Sequence, residues 1–310
     1  MKVLFVLSGE DLKLAKDEIY SLVGKKGMSF GNFLIADVND VKILSRLAFT
    51  HKYYQLLFTC SNREFFRKFS AFDWSKIYSK SFCLRFHDLK FSEREMASYI
   101  WDKVKKPKVD LENPSTLIEC YSFKGKIFCG KLLGRINGFD ERRNPNRPSP
   151  HPTTLHPKLA RAMVNLLGVK KGSVVDPMCG TGGILIEAGL MGLKAVGSDI
   201  SAFMVKGAKQ NLKFFKVKNF SVNVEDALNL GKISYVVVDL PYGKNTKSVD
   251  RDFYNKFLQV LREKLGKRAV VGFPDFVNYK SLLKRNKFKI LGEYDYFLHK
   301  SLSKKIVVIS

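Results

Sequence analysis

The feature that most constrains the fold is a regular alternation of strand-like and helix-like segments in the second half of the sequence. Runs rich in β-branched residues, such as Tyr235–Asp239 and Ala269–Gly272, are separated by segments of helical length. Continuous apolar runs of this kind indicate strands buried on both faces of a parallel sheet. We therefore predict an α/β, Rossmann-like domain over residues 153–310, with an antiparallel edge formed by residues 289–293 and 305–309.

The first half of the sequence has a different organisation. Short strand candidates alternate irregularly with helical segments, which predicts an α+β region with a ferredoxin-like part at residues 1–58 and a second part at residues 59–134. Ser92 and Glu95 fit a capping box at the start of a helix. Residues 135–152 are rich in proline, asparagine and arginine. Because proline cannot continue a helix or a central strand, we predict an extended linker there.

The charge of the chain narrows the classes of partner. It has 54 Lys and Arg residues against 29 Asp and Glu residues, a net charge of +25, and both halves share the excess. Such a charge favours a polyanion such as RNA, because contacts to phosphates release condensed counterions. A lysine-rich proteome would produce the same excess without any nucleic acid. No run of about 18 apolar residues and no signal-like N-terminus is present, so a soluble, cytoplasmic protein that does not bind membranes is expected.

Cysteine and histidine positions give no sign of a metal. The five cysteines are scattered and form no C-x-x-C pair, and the five histidines share no ligand spacing. We therefore expect neither a disulfide framework nor a metal site.

The first chemical motif is the loop Asp176–Gly183, which follows one predicted strand and opens the next helix. Gly180 and Gly182 permit a tight turn against which a ligand can lie, and a helix N-terminus favours an anionic group. A dinucleotide-binding loop would read G-x-G-x-x-G, and its third glycine is missing here, so a nicotinamide oxidoreductase is the least favoured alternative. The acid at the strand end and the short loop indicate S-adenosylmethionine instead.

Two further acids follow the next two predicted strands. Asp199 can accept hydrogen bonds from both hydroxyls of a ribose, and Asp226 with the Ala227 amide can bind the edge of an adenine. Each acid alone is as readily explained as an ordinary turn residue. Together with Asp176 they predict a cofactor site at one edge of the sheet.

The second motif, Asp239–Gly243, follows an apolar strand. An exocyclic amino nitrogen of a base is a poor nucleophile, because its lone pair is delocalised into the ring. The Asp239 carboxylate and the Leu240 carbonyl can accept its two N–H groups and orient it. Pro241 restricts the turn, and Tyr242 offers a ring for stacking on a flipped base. The alternative is a strand-ending turn with a packed tyrosine.

These motifs carry a resemblance to known families. Asp-Leu-Pro-Tyr-Gly after Asp-Pro-Met-Cys-Gly-Thr-Gly-Gly is similar to the amino-methyltransferases with an (Asp/Asn/Ser)-Pro-Pro-(Tyr/Phe) motif, with Leu240 in place of the first proline. Residues 109–114 and the neighbouring strands resemble a THUMP RNA-binding domain, which implies such a domain at residues 59–134. Arg147-Pro148 and residues 151–161 resemble the archaeal tRNA guanine-10 N2-methyltransferases, which implies S-adenosylmethionine as cofactor and tRNA as partner.

The resemblance also implies roles for single residues. The amine would be held by Asp239, Leu240, Pro241 and Tyr242. The cofactor would be bound by Thr154, Asp176, Cys179, Gly180, Gly182, Asp199, Asp226 and Ala227, with Thr154 beside its methionine carboxylate. Independently of the resemblance, the arginines of the predicted linker can meet phosphate, although linkers are also charged for solvation; the predicted RNA contacts are Arg85, Lys124, Arg142, Arg143 and Arg147. An amino-methyltransferase of ribosomal RNA guanine or of adenine, and an RNA-binding protein without catalysis, remain as alternatives.

Overall fold

The computed structural model describes residues 1–242, 252–299 and 302–310 of the protein, which divide into two units. The first unit consists of Met1–Leu12, Lys25–Ser45 and Thr50–Ile136, and the second of Lys13–Gly24, Arg46–Phe49 and Asn137–Ser310. Each unit contains one seven-stranded sheet.

The sheet of the first unit is mixed. Its strands are β1 (Lys2–Leu7), β2 (Met28–Phe30), β3 (Phe33–Asp37), β4 (Thr50–Ser61), β5 (Phe82–His87), β6 (Thr116–Phe123) and β7 (Lys126–Arg135). Their order is β2-β3-β1-β4-β7-β6-β5, and only β5 and β6 pair in parallel. The helices of this half of the chain are α1 (Leu12–Val23), α2 (Phe65–Ala71) and α3 (Glu93–Trp101). Helix α3 lies in the crossover that the parallel pair requires, and the predicted cap is present, since Ser92 Oγ accepts from the Glu95 amide at 3.3 Å.

Strand β4 joins the two regions predicted in the first half. The predicted boundary between residues 58 and 59 falls inside this strand, which pairs with β1 on one side and with β7 on the other. Because one strand donates and accepts hydrogen bonds on both sides, strands from both predicted regions belong to one sheet.

The second unit has the predicted Rossmann-like fold. Its strands are β8 (Ser173–Asp176), β9 (Lys194–Asp199), β10 (Phe220–Val224), β11 (Ile233–Asp239), β12 (Leu265–Pro274), β13 (Ile290–His299) and β14 (Leu302–Ile309). Its further helices are α4 (Pro157–Leu166), α5 (Gly183–Leu190), α6 (Ala202–Phe214), α7 (Phe253–Lys264) and α8 (Tyr279–Arg285). The strand order is β10-β9-β8-β11-β12-β14-β13; the first five strands are parallel, and β14 is antiparallel to both of its neighbours, which confirms the predicted edge.

The topology of this sheet indicates where a ligand would bind. The chain order of the strands reverses between β8 and β11, and in open α/β sheets the crevice beyond the carboxyl ends of the strands at such a point binds ligands. The central strands are a rigid support for it, because Val236–Val238 and Ala269–Val271 are completely buried.

The segment predicted as an extended linker is folded. It forms two short 3-10 turns, Asp140–Arg142 and Asn144–Asn146, and its arginines include the buried Arg147 and the half-buried Arg142. Helix α1 is held in the same unit by the buried Glu18, which accepts from the Ala48 and Phe49 amides at 2.8 and 2.9 Å. In the described ranges, no helix has the length and apolar character needed to cross a membrane.

Candidate functional site

Three predicted acids are the last residues of their strands at the reversal point. Asp176 ends β8, Asp199 ends β9 and Asp239 ends β11. Burial raises the pKa of Asp176 well above its ordinary value, and the neighbouring carboxylates of Asp239 and Asp199 raise it further. The structure thus brings together carboxylates that are far apart in the sequence.

The loop after β8 is shaped by its glycines. Gly180 and Gly182 have φ values of 52° and 85°, a region that side chains rarely adopt, and Gly182 is the N-cap of α5. A Cβ atom at Gly180 would meet nothing within 4 Å, so the backbone there faces open space. Cys179 is a packing residue of this loop, since its thiol is buried and burial raises the pKa of that thiol.

Hydrogen bonds hold the next two acids in place. Asp199 Oδ2 accepts from the Gly180 amide at 2.9 Å, and its Oδ1 accepts from the Ser201 amide at 3.0 Å. Asp226 Oδ1 accepts from the Leu228 amide at 2.9 Å, and Ala227 is buried beside it. Carboxylate oxygens have further lone pairs, so both acids can still accept from ligand hydroxyl or amino groups.

An exposed apolar side chain adjoins these acids. Ile200, directly after Asp199, is 74% exposed. Sequence reasoning did not single it out, because one isoleucine after an acid is an ordinary pattern. It offers an apolar surface for the flat face of a ring at the same edge of the sheet.

Asp239 lies at the centre of the site. Its Oδ2 forms an ion pair with the ammonium of Lys304 on β14, and its Oδ1 is buried without a hydrogen-bond partner among the described residues. Burial raises the pKa of Asp239 above its ordinary value, and Lys304 opposes that rise. Lys304 is only 4% exposed. It was missed by the sequence analysis, because nothing in the local sequence distinguishes it from the other lysines.

The residues after Asp239 form a fixed turn. The Leu240 amide donates to the Gly272 carbonyl at 2.9 Å, and the Pro241 carbonyl accepts from the Tyr254 hydroxyl at 2.6 Å. The Tyr242 hydroxyl donates to the Ser303 carbonyl at 3.3 Å, and Lys304 Nζ lies 4.8 Å from the centroid of its ring. Gly243, the last residue of the predicted motif, lies outside the described residues.

Gly272 makes room for the central carboxylate. It pairs with Asp239 across β11 and β12, and a Cβ atom at Gly272 would lie 2.7 Å from Asp239 Oδ1. The sequence contained a signal for this residue, since a glycine inside a strand often marks a close approach. Its partner is visible only in the pairing of the strands.

The five predicted RNA contacts fall into two groups. Arg85 (38% exposed), Lys124 and Arg143 (57% exposed) reach the surface. Arg142 and Arg147 are largely shielded from solvent. Arg142 is 12% exposed and forms an ion pair with Glu187 at 2.6 Å, and Arg147 is 4% exposed. Arg142 is held by a protein carboxylate, and neither side chain resembles the solvated cations at the surface.

Thr154 lies at the start of α5. Its methyl group is 2.7 Å from the position that a Cβ atom of Gly183 would occupy, and its hydroxyl is 3.2 Å from that of Thr181. Within the described ranges, no group of three or more His, Cys, Asp or Glu side chains is placed to hold a metal ion. The site therefore combines an open glycine turn, a helix N-terminus and carboxylates, which suits a ligand with a ribose and an anionic end.

Comparisons with known proteins agree with this geometry. The RMKL-like methyltransferase domain matches residues 144–302, more than half of the chain. A tRNA (guanine(10)-N2)-dimethyltransferase of Methanothermobacter thermautotrophicus is 32% identical over 100% of this chain and 99% of its own length. A protein of the same name from Pyrococcus abyssi is 33% identical over 89% of this chain and 88% of its own. The crystal structure of TrmN from Thermus thermophilus covers 100% of this chain and 99% of its own, with a TM-score of 0.52 and 17% identity, which supports the fold.

Proposed function

This chain belongs to the RMKL-like methyltransferase family and to the archaeal tRNA (guanine(10)-N2)-dimethyltransferases, and from that premise we propose that it methylates N2 of guanine 10 in tRNA with S-adenosylmethionine. The observation that carries the proposal is the Asp239 carboxylate. It stands at the reversal point of the sheet with one oxygen unpartnered among the described residues, and the Leu-Pro-Tyr turn follows it. Because its substrate is a tRNA, we place the enzyme in the cytoplasm.

The cofactor would be held by the residues around the glycine turn. Asp199 would accept from the ribose hydroxyls, and Asp226 with the Ala227 amide would bind the adenine edge, whose face would rest on Ile200. Gly180 fits this assignment, because its backbone faces open space. When bound, S-adenosylmethionine supplies an electrophilic methyl group on a positively charged sulfur.

The chain's own residues would prepare the amine for attack. The Asp239 carboxylate and the Leu240 carbonyl would accept the two N–H groups of guanine N2 and orient its lone pair. Tyr242 would stack on the flipped base. Methyl transfer would break the bond between the methyl carbon and sulfur, with its electron pair left on sulfur, and the methylated nitrogen would carry one proton too many. Asp239 is the base placed to accept it, and a raised pKa makes a carboxylate a better base.

Lys304 would keep this carboxylate ionised. Burial favours the protonated form of Asp239, which would offer a donor where an acceptor is needed. The ammonium of Lys304 counteracts that effect and holds Oδ2 in one orientation. Its position over the ring of Tyr242 links the acceptor and the stacking residue.

A methyl-transfer assay tests the proposal. Labelled S-adenosylmethionine is incubated with a tRNA transcript carrying guanine at position 10 and with the same transcript carrying adenine there. We expect label on the first alone, recovered as N2-methyl- and N2,N2-dimethylguanosine, since the relatives are named dimethyltransferases. Equal labelling of both transcripts would contradict the position, and label on ribosomal RNA alone would favour the alternative substrate. The absence of both labelling and cofactor binding would refute the proposal that this chain is a methyltransferase.

We propose the first unit, with its THUMP-like residues 59–134, as the tRNA-binding part, and Arg85, Lys124 and Arg143 as phosphate contacts. If six or more phosphates are contacted, tRNA affinity should fall by about 10³-fold between roughly 50 and 200 mM salt. Lys124→Met should lower the slope of log affinity against log salt by about one. Filter binding across salt concentrations measures both quantities, and a flat response would contradict the polyanion argument.

Replacing Gly272 with alanine should reduce methyl transfer by about 10²-fold, because the new Cβ atom would displace the Asp239 carboxylate and small misplacements have effects of this size. Gly266→Ala on the same strand is the matched control, because its Cβ atom would have only an ordinary contact at 3.5 Å. Single-turnover rates of the two variants are compared. Equal rates would show that the close approach at Gly272 is unimportant for catalysis.

A further inference from the structure

Arg147 is a buried cation whose hydrogen-bonding capacity is largely unused. Its side chain is 4% exposed, and its Nε donates to the Arg142 carbonyl at 2.9 Å. Both terminal nitrogens, Nη1 and Nη2, are buried without a partner in the described ranges of the chain. Burial lowers the pKa of Arg147 to about 10, and the nearby Arg142 lowers it further, while Glu187 opposes both. Unpaired buried guanidinium nitrogens are unfavourable, so they indicate a missing anionic partner.

The acids among the described residues do not provide that anion. Glu187 accepts from Arg142 Nε at 2.6 Å and from Arg161 Nε at 2.7 Å, so two other arginines occupy its oxygens. Three guanidinium groups around one carboxylate leave a formal charge of +2. Glu18 also interacts with Arg161, and burial raises the pKa of Glu18 to about 7. One more anionic group would lower the formal charge of the cluster from +2 to +1.

The unpartnered nitrogens lie at the predicted cofactor site. Nη1 is 3.2 Å from the position that a Cβ atom of Gly183 would occupy, and Gly183 is the first residue of α5. Thr154 packs against the same glycine, and its hydroxyl meets that of Thr181. A guanidinium group, two threonine hydroxyls and the N-terminus of α5 thus lie close together around Gly183. This is a donor set for a carboxylate.

We propose that Arg147 binds the carboxylate of the methionine moiety of S-adenosylmethionine. The assignment rests on the proposed function, because it takes the cofactor as given. The shielding of Arg147 from solvent strengthens a charge-assisted hydrogen bond there. The carboxylate would bring the +2 cluster closer to neutrality, and it lies at the opposite end of the cofactor from the adenine assigned to Asp226.

Calorimetric titration of the full chain with two ligands tests the assignment. One ligand is S-adenosylhomocysteine, and the other is its decarboxylated analogue, which retains the amine and lacks only the carboxylate. We expect the wild type to prefer the first ligand by roughly 30-fold or more, since loss of one partner of a buried charge pair has effects of this order. In Arg147→Met the preference should shrink to within about threefold, with the analogue bound as tightly as by the wild type.

Controls separate the possible outcomes. Arg143→Met changes an exposed arginine of the same segment and should retain the full preference. Retained binding of the analogue shows that Arg147→Met is folded. An unchanged preference in Arg147→Met would overturn the assignment. Loss of tRNA affinity with unchanged S-adenosylhomocysteine affinity would also overturn it, and would indicate that Arg147 binds an RNA phosphate. If the wild type binds neither ligand, the proposed function itself fails.

Discussion

Asp239→Asn should transfer methyl groups about 10²- to 10⁴-fold more slowly than the wild type, with affinities for tRNA and cofactor nearly unchanged. Asparagine keeps the shape of the side chain but replaces one acceptor oxygen with an NH2 donor. That donor would face the N–H groups of guanine instead of accepting from them. The variant also loses the base that takes up the proton released by the amine. The defect therefore lies in the chemical step and leaves binding intact.

Single-turnover rates at saturating cofactor, together with filter binding of tRNA, separate these effects. Asparagine is preferable to alanine, because its amide oxygen can still accept a hydrogen bond from Lys304. Both variants remove the counterion of this buried ammonium, which reduces the free energy of unfolding by about 3–5 kcal/mol. Asp239→Asn/Lys304→Met, which removes both charges, is the folding control. A wild-type rate, or a loss of tRNA binding in the asparagine variant, would refute the role of Asp239.

Lys304→Met should shift the pH dependence of the rate in addition to lowering the rate at neutral pH. Lys304 lowers the pKa of Asp239, so its removal raises that pKa further. Activity requires the ionised carboxylate, and the acidic limb of the profile therefore moves to higher pH, with activity partly recovered in alkaline buffer. The charged and titratable groups around Asp239 are Lys304 from β14, Asp176 from β8, and Tyr242. We expect about a 10- to 100-fold loss at pH 7.

Single-turnover profiles between about pH 5.5 and 9.5 measure this shift, because a buried carboxyl group can titrate as high as about pH 8–9. Lys304→Arg retains the charge and should keep the acidic limb close to that of the wild type. Lys305→Met is the matched control, because Lys305 is the next residue on the strand and pairs with Asp295 at the surface. A uniform loss at every pH in Lys304→Met would assign Lys304 a structural role only.

Local patterns account for the parts of the protein that were predictable. The strands ending at Asp176, Asp199 and Asp239 were identified from β-branched runs, because a strand buried on both faces must be apolar along its whole length. The glycine turn and the Asp-Leu-Pro-Tyr segment are continuous in sequence, so their chemistry could be inferred from the sequence as well. The same reasoning treated residues 135–152 as a linker, because their composition does not reveal the buried Glu187 that binds Arg142.

Local residue patterns predict the Rossmann-like class, the glycine turn and the acids at the strand ends, since each depends on neighbouring residues. Which distant side chains complete the site depends on how the chain folds. Lys304 pairs with Asp239, which is 65 positions away in the sequence, and Arg142 pairs with Glu187, which is 45 positions away. Such pairs depend on strand order and helix packing, and single lysines or arginines in a chain with 54 of them carry no local mark of burial. A lysine or arginine of the site differs from a solvated one only in being buried, and burial is a property of the fold.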